Sequence, residues 1–487
     1  MTAFAPWLVL LIVSLPTVGV LSAVALIMRR EDRGEAATAC VRFGMLSSFI
    51  AALLLVAALG GAFGSSLDAA VWRMGTSLTL SGPRPLHIGW AWRADVLAAD
   101  WSAALSGLAW LTLSAARRDE RGSPRVALAV TAGLLHVAVV ALVFSASLVQ
   151  MLFCWGAISL ATWLMVGWVS KTDAASQAIR KTILTGLTTE GLLVLAVLLM
   201  SVTCGTFVID DVLSVEGLAK LGERTPALPG FIGCLLVLSV LGRSGLFPCF
   251  GWHHEAAAWD RSVWAMIYLV GYVPSAVWLL FRFQPLVASS DVSLTMLGGL
   301  STLGAVLGAF VACGQAEPRS ARAFLITAQV GVVFAALSSG LFDGEARRAW
   351  WLGATEAAPR AADVGRVLLG QLAVIVGAFV VRRSSRAKSM SPAREAWYQP
   401  LAQLSRQRLS IDDVTQIVVA GPLRIWMQLT QFVERLLTDS LFPALAVRLP
   451  GWFGRQIESL QIGRVEFDLA AALLGVATVL LTLILVT

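Results

Sequence analysis

The chain has 487 residues, 57 % hydrophobic and only 14 % charged, against about 25 % charge in an average soluble domain. That balance excludes an ordinary water-soluble globule and predicts a chain that crosses a bilayer many times. A formal net charge of +7 would suggest nucleic acid in a soluble protein, but here the arginines stand in short segments between apolar runs. Membrane topology accounts for them, and no nucleic-acid partner is expected.

Uncharged runs of about 18 residues or more can cross a hydrocarbon core about 30 Å thick, where only helices or closed barrels satisfy their own backbone. In chain order the runs predict helices near 5–28, 44–66, 96–116, 126–146, 149–170, 182–203, 228–250, 262–283, 292–313, 322–341, 364–381 and 467–486. The expected fold is an all-α polytopic membrane protein of about twelve spans. The first run has no basic lead-in or small-residue cleavage site, and Arg29 and Arg30 follow it, so a retained span is expected there. Residues 126–170 contain no Asp, Glu, Lys or Arg, which leaves room for two helices and a tight connection. Lys and Arg number four in 29–42, four in 117–125 and three in 171–181, but only three in the long loop 67–94. The dense segments are expected in the cytoplasm, with both termini outside and 382–466 inside. Eighteen tryptophans suit interfacial anchoring in the lipid bilayer.

Within 382–466, Leu423, Trp426, Met427, Leu429 and Val433 fall on or near one helical face, which predicts an amphipathic helix on the membrane surface or against partner helices. Six scattered cysteines lack CxxC spacing and read as small core residues.

Ionisable residues inside a span cost about 2.5–3.5 kcal/mol on insertion scales, so each is a functional candidate. Arg243 ends a charge-free run and precedes Pro248, whose missing N–H and bulky ring predict a broken helix. Two roles are open for Arg243: a midplane transport site, or a cation paired with a carbonyl freed by the break. Glu190 lies in an apolar run beside Thr188 and Thr189, as a proton site or as a partner to a neighbouring helix. His136 is alone in an apolar helix and reads as a hydrogen-bonded core imidazole; Asp95 and Asp100 open the third span. Ion-pathway candidates are therefore Arg243, Glu190, His136 and Asp100. His253 and His254 are neighbours that would point about 100° apart on a helix, so no metal site is expected. No phosphate loop, nucleophile triad or Fe–S pattern is present, and neither a cofactor nor a catalytic residue is expected.

The stretch "GRSGLFPCFGWHHEAAAWDRSVWAMIYLVGYVPSAVWLLFR" resembles the seventh and eighth helices of the antiporter-like subunits of NADH:quinone oxidoreductase (complex I) and Mrp-type antiporters, with Gly242, Ser244, Pro248, Trp252, Ala256 and Arg282 in register. "WRADVLAADWSAAL", "FCWGAISLATWLMVGW", "CGTFVIDDV" and "GQAEPRSARAFLITAQVGVVFAAL" are similar to further stretches of that family. "LSRQRLSIDDVTQIVVAGPLR" and "LQIGRVEFDLAAALLGV" resemble the end of its NuoL-type member, including the lead-in to its lateral helix. The resemblance implies an antiporter-like core over 1–343, a reduced connector with one span over 344–396, and a NuoL-like amphipathic segment and last helix over 397–487.

The departures bear on function. The family pairs a lysine on the broken seventh helix with a glutamate on the fifth; here Arg243 holds the lysine position and Gly156 the glutamate position. Arginine stays charged at any neutral pH, so the resemblance implies a cation without its carboxylate mate. Tyr268 replaces an eighth-helix histidine, Glu190 falls one position late in the sixth-helix motif, and about four second-repeat helices are missing. The expected role is a non-catalytic, multi-pass inner-membrane subunit of a complex I-like assembly, structural or modulatory in proton translocation, with other membrane subunits as partners. The alternatives are a DabB-like subunit of an inorganic-carbon uptake complex and a free-standing cation/proton transporter.

Overall fold

The computed structural model describes residues 4–29, 34–59, 70–80, 86–116, 123–169, 173–246, 261–315 and 318–338. The chain divides into two units, Met1–Val419 and Ala420–Thr487, and every described residue lies in the first. Pro248, the expected spans at 364–381 and 467–486, the amphipathic segment and the reduced second repeat lie outside the described residues.

Helices α1 (Phe4–Arg29) and α2 (Gly34–Leu59) precede a hairpin of β1 (Ala70–Leu80) and β2 (Leu86–Ala94). Then come α3 (Val96–Ala116), α4 (Ser123–Val143), α5 (Leu148–Val169), α6 (Asp173–Cys204), α7 (Ile209–Leu213), α8 (Val215–Arg224) and α9 (Leu228–Arg243). After Leu246 the described chain resumes with α10 (Arg261–Met266), a π-helical turn (Ile267–Tyr272), α11 (Val273–Ala288), α12 (Asp291–Gly314) and α13 (Pro318–Ser338). Among the described residues, nine helices are long and apolar enough to cross a membrane, or ten if α8 and α9, bent by 110°, form one broken span.

Three features depart from the sequence reading. The loop expected over 67–94 contains the antiparallel hairpin, with Ala70 opposite Ala94, Leu80 opposite Leu86 and an irregularity between Met74 and Leu78. Helix α2 begins ten residues before the expected 44, so Arg42 lies on the helix rather than in a connector. Hydropathy misses this start because Glu35 and Arg42 depress it, whereas packing does not: α1 and α2 touch backbone to backbone. A Cβ on Gly19 would stand 2.8 Å from the Cys40 carbonyl oxygen, and one on Gly44 would stand 2.9 Å from that of Leu15. The third departure is the pair of short helices α7 and α8 after α6, too brief and polar for a span search to find.

Prolines shape two of the helices. Pro16 lies inside α1 and offers no N–H to the Ile12 carbonyl, four residues back. The Ser48 hydroxyl of α2 donates to that carbonyl at 2.8 Å, replacing the missing bond where no water would. Pro274, at the start of α11, likewise lacks an N–H for Val270, and the turn before it widens into the π geometry of Ile267–Tyr272.

The connectors after α2, α4 and α6 gather at one end of the bundle. Trp92 bridges to Ser145 and Ser147 bridges to Val208, so strand β2 and two connectors pair side by side. The amide N–H of Arg93 donates to Phe144 O at 2.8 Å, and that of Leu148 to Phe207 O at 2.8 Å. Below this seam one apolar core runs from α1 to α13 and includes Trp155, Tyr268, Phe144 and Phe283 among its fully buried side chains.

Candidate functional site

Arg243 is placed by the way α9 ends. Gly245 adopts a left-handed φ of 64°, which costs glycine nothing. Its N–H donates to Gly242 O at 3.2 Å, and that of Leu246 donates to Leu241 O at 2.9 Å. These two bonds form the Schellman closure of a helix C-terminus. The helix thus ends at Arg243, capped by Ser244 with Gly245 turning the chain away, and Arg243 stands in the last turn, where the backbone dipole favours a cation.

The Arg243 side chain is 2 % exposed and is held on three sides. Its Nη2 donates to the Trp155 carbonyl oxygen at 3.0 Å. The guanidinium lies 4.0 Å from the Trp155 ring centroid and 4.6 Å from that of Tyr272, both within cation–π range. Its Nη1 stands 3.6 Å from Glu190 Oε1, an ion-pair distance rather than a hydrogen bond. The carbonyl partner belongs to intact α5, so the expected pairing with a carbonyl at the proline break is not what the described residues show.

Glu190 enters from α6, about 20 Å along the helix from its C-terminal end. The Ser159 hydroxyl of α5 donates to its Oε1, and the carboxylate side chain keeps 19 % exposure. Arg243 therefore has a carboxylate mate, contrary to the expectation that it had lost one; the mate comes from α6 instead of α5. At Gly156 an added Cβ would meet nothing within 4 Å, so the turn of α5 beside Trp155 is open. Tyr272 is itself buried, its ring packed against the Arg243 guanidinium. Tyr268 is buried one turn away in the π stretch, stacked on Trp264 with ring centroids 4.5 Å apart.

The other candidates do not join this site. His136 is fully buried in α4, and its Nε2 lies 2.9 Å from Ser106 Oγ of α3, which is 3.3 Å from Ser48 Oγ of α2. The chain continues to Ile12 O of α1, so four helices share one polar thread. The structure gives His136 the hydrogen bond of a core imidazole, while its Nδ1 finds no partner among the described residues. Asp100 is exposed on α3, remote in sequence and element from Arg243.

Sequence reasoning missed a second charged cluster, at the end of the bundle where the connectors pair. Asp95 caps α3: its Oδ1 accepts from the Ala98 N–H at 2.8 Å. Its Oδ2 meets Arg282 Nη1 of α11 at 2.6 Å and Arg93 Nε of β2 at 3.1 Å. Arg93 also pairs with Asp210 of α7. Burial opposes charging of Asp95, but Arg282 by field and hydrogen bond, the Ala98 amide and Arg93 together hold its carboxyl below the usual range. Burial is also the main cause that lowers the Arg93 guanidinium's value. The available signal was the charged triplet "RAD" just before an apolar run, with Arg282 late in another. Among the described residues no group of three or more His, Cys, Asp or Glu could hold a metal.

A bundle whose described residues include nine helices of membrane-spanning length and hydropathy, with a charged pair in its interior, defines a polytopic membrane protein. Its fold is similar to a chain of the Mrp complex from Dietzia sp. DQ12-45-1b, with a TM-score of 0.61 at 14 % identity over 98 % of this chain and 63 % of that one. It is also similar to a chain of respiratory complex I from Thermus thermophilus with bound NADH, with a TM-score of 0.53 at 19 % identity over 76 % and 71 %. Residues 145–395, more than half of the chain, match the family described as NADH:quinone oxidoreductase/Mrp antiporter, TM. The chain belongs to that family.

Among characterised relatives, NAD(P)H-quinone oxidoreductase subunit 5, chloroplastic, of Adiantum capillus-veneris is 24 % identical over 210 residues, 43 % of this chain and 29 % of that protein. NAD(P)H-quinone oxidoreductase chain 5 of Synechocystis sp. is 25 % identical over 202 residues, 41 % of this chain and 30 % of that protein. The matches span under a third of these relatives' length.

Proposed function

We propose that the chain is a NuoL-like membrane subunit of a complex I-like, proton-translocating assembly in the inner membrane, working through support or modulation of the coupled path. The carrying observation is the interior ion pair: Arg243 is held by the Trp155 carbonyl, by two aromatic faces and by Glu190. A guanidinium, with a pKa above about 12, keeps its proton where a lysine could release one, so this pair cannot run a lysine exchange. The named relatives and the fold likeness to chains of multi-subunit complexes favour a partner-dependent role. The domain reading, with an antiporter-like core to residue 343 and a NuoL-like end from 397, belongs to the same proposal. Affinity purification in mild detergent, followed by intact mass measurement, should bring down further membrane subunits of such an assembly. A chain that purifies alone and by itself moves cations in vesicles would refute this reading.

A further inference from the structure

We propose that Glu190 is the proton-accepting group of this interior site, taking up and releasing a proton beside an arginine whose charge never changes. The inference rests on the ion-pair reading above, not on which assembly the chain joins. Among the described residues Glu190 is the one Asp or Glu far from a helix end; Glu35, Asp95, Asp100, Asp173 and Asp291 all stand in or beside a first turn. Within the pair the acid is the member able to change its charge, since the arginine keeps its own.

The geometry separates the two residues by access. Arg243 is sealed at 2 % exposure, whereas Glu190 keeps 19 %, so the acid is the more open member of the pair. Among the described residues, the groups that face Glu190 are few. From α9 comes the Arg243 guanidinium, and from α5 the hydroxyl of Ser159. From the π turn comes Tyr272, whose ring lies 4.6 Å from the Arg243 guanidinium. Helix α5 contains no charged residue, and the charges of α7 and α8 sit beyond the end of α6, where Lys220 pairs with Glu216 at 2.7 Å. Thr189, the neighbour on α6, turns its hydroxyl to Gly186 O at 2.9 Å. Ser159 thus donates to the carboxylate from α5, and one helical turn before it, at Gly156, there is open space.

The step is a simple protonation. A hydronium ion gives up a proton to a Glu190 carboxylate oxygen; its O–H bond breaks to leave water, the carboxyl O–H bond forms, and the site passes from a neutral Arg–Glu pair to a net charge of +1. Release reverses it, and no electron moves. While Glu190 is charged the pair draws α6 and α9 together; once it is neutral, the attraction at 3.6 Å is lost and only the Ser159 contact remains. Proton uptake would in this way loosen one helix contact in the bundle.

Infrared difference spectroscopy of the purified full chain, or of its complex, tests this as pH is stepped. The expected result is a carboxylic-acid carbonyl band that grows as pH falls, shifts on labelling with ¹³C-glutamate and is absent from E190Q. The variant S159A keeps the acid but removes a donor to its charged form, so the band's midpoint should move up by about one pH unit. A merely structural Glu190 would give no such band, and that outcome overturns the proposal, as does a band that persists in E190Q. Should E190Q fail to fold, the S159A shift decides: an unmoved midpoint sinks the idea. Because the signal belongs to this chain, it is read independently of which subunits co-purify.

Discussion

Replacing Asp95 by alanine removes three contacts in one change: the Arg282 pair at 2.6 Å, the Arg93 pair at 3.1 Å and the cap on the Ala98 N–H at 2.8 Å. Deleting one partner of a buried ion pair costs about 3–5 kcal/mol, because the other charge stays buried and uncompensated. Asp95 and Arg282 side chains are 16 % and 9 % exposed, which places this pair toward the lower end, about 3 kcal/mol. Loss of the cap adds about 1 kcal/mol, so D95A should cost about 4 kcal/mol. D95N retains an oxygen for the Ala98 amide and should cost about 1 kcal/mol less than D95A. Adding R282M to D95A should recover part of the loss, since it removes the orphaned guanidinium. Equilibrium unfolding in mixed micelles, followed by tryptophan fluorescence, measures all four proteins. The pH dependence supplies a second check. A carboxyl held below its ordinary range in the folded state stabilises above its unfolded value, and that stability disappears as pH falls through the lowered folded value. Wild type should therefore lose stability in acid more steeply than D95N. If D95A unfolds within about 1 kcal/mol of wild type, the cluster is not the brace argued for here.

At the interior site, R243M leaves Glu190 half-buried without its cation and should lower folded yield sharply, by about 3 kcal/mol or more in stability; the double change R243M/E190M should restore much of it. R243K keeps the charge but loses the planar stack on Trp155 and Tyr272, so its unfolding midpoint should fall between wild type and R243M. For α1 against α2, G44A should cost about 1–3 kcal/mol through contact with the Leu15 carbonyl, whereas G156A, with open space around its new Cβ, should stay within about 0.5 kcal/mol on the same assay. S106A cuts the thread between His136 and Ser48 and should destabilise by about 1–3 kcal/mol, more than S47A, whose hydroxyl bonds only within its own exposed helix turn.

The spans were legible because hydropathy over twenty residues depends on composition alone. Residues 96–116 and 149–170 coincide with α3 and α5 to within one residue at each end. What the same reading lost was every feature decided by neighbours. The start of α2 depends on close approach of Gly19 and Gly44, which no hydropathy window senses. The hairpin at 70–94 is secured by the Trp92–Ser145 bridge to the connector after α4 and by the Arg93–Asp210 ion pair to α7, both distant in sequence. The interior site was half visible. Arg243 and Glu190 each stood out as expensive charges, yet their pairing depends on how α6 and α9 pack, and the match to a family pattern directed attention to Gly156 instead. The Arg93–Asp95–Asp210–Arg282 cluster escaped because each member lies at a span's edge, where a charge is unremarkable until its partners are known.

The altered pair changes the sign of what one proton does. In a lysine–glutamate site, the cation can lose its proton and leave the carboxylate uncompensated at a net −1. With arginine in that place, the base is invariant, and the only accessible change is neutralisation of the acid, which leaves a net +1 beside Trp155 and Tyr272. Aromatic faces and a helix C-terminus both stabilise a lone cation, and Arg243 has all three: two rings and the last turn of α9. A protonated Glu190 would therefore leave Arg243 better accommodated than a lysine stripped of its counter-charge in the same pocket. The surroundings of Arg243 suit a site that rests as a neutral pair and is excited to a cation, and they give no support to an excursion of the opposite sign.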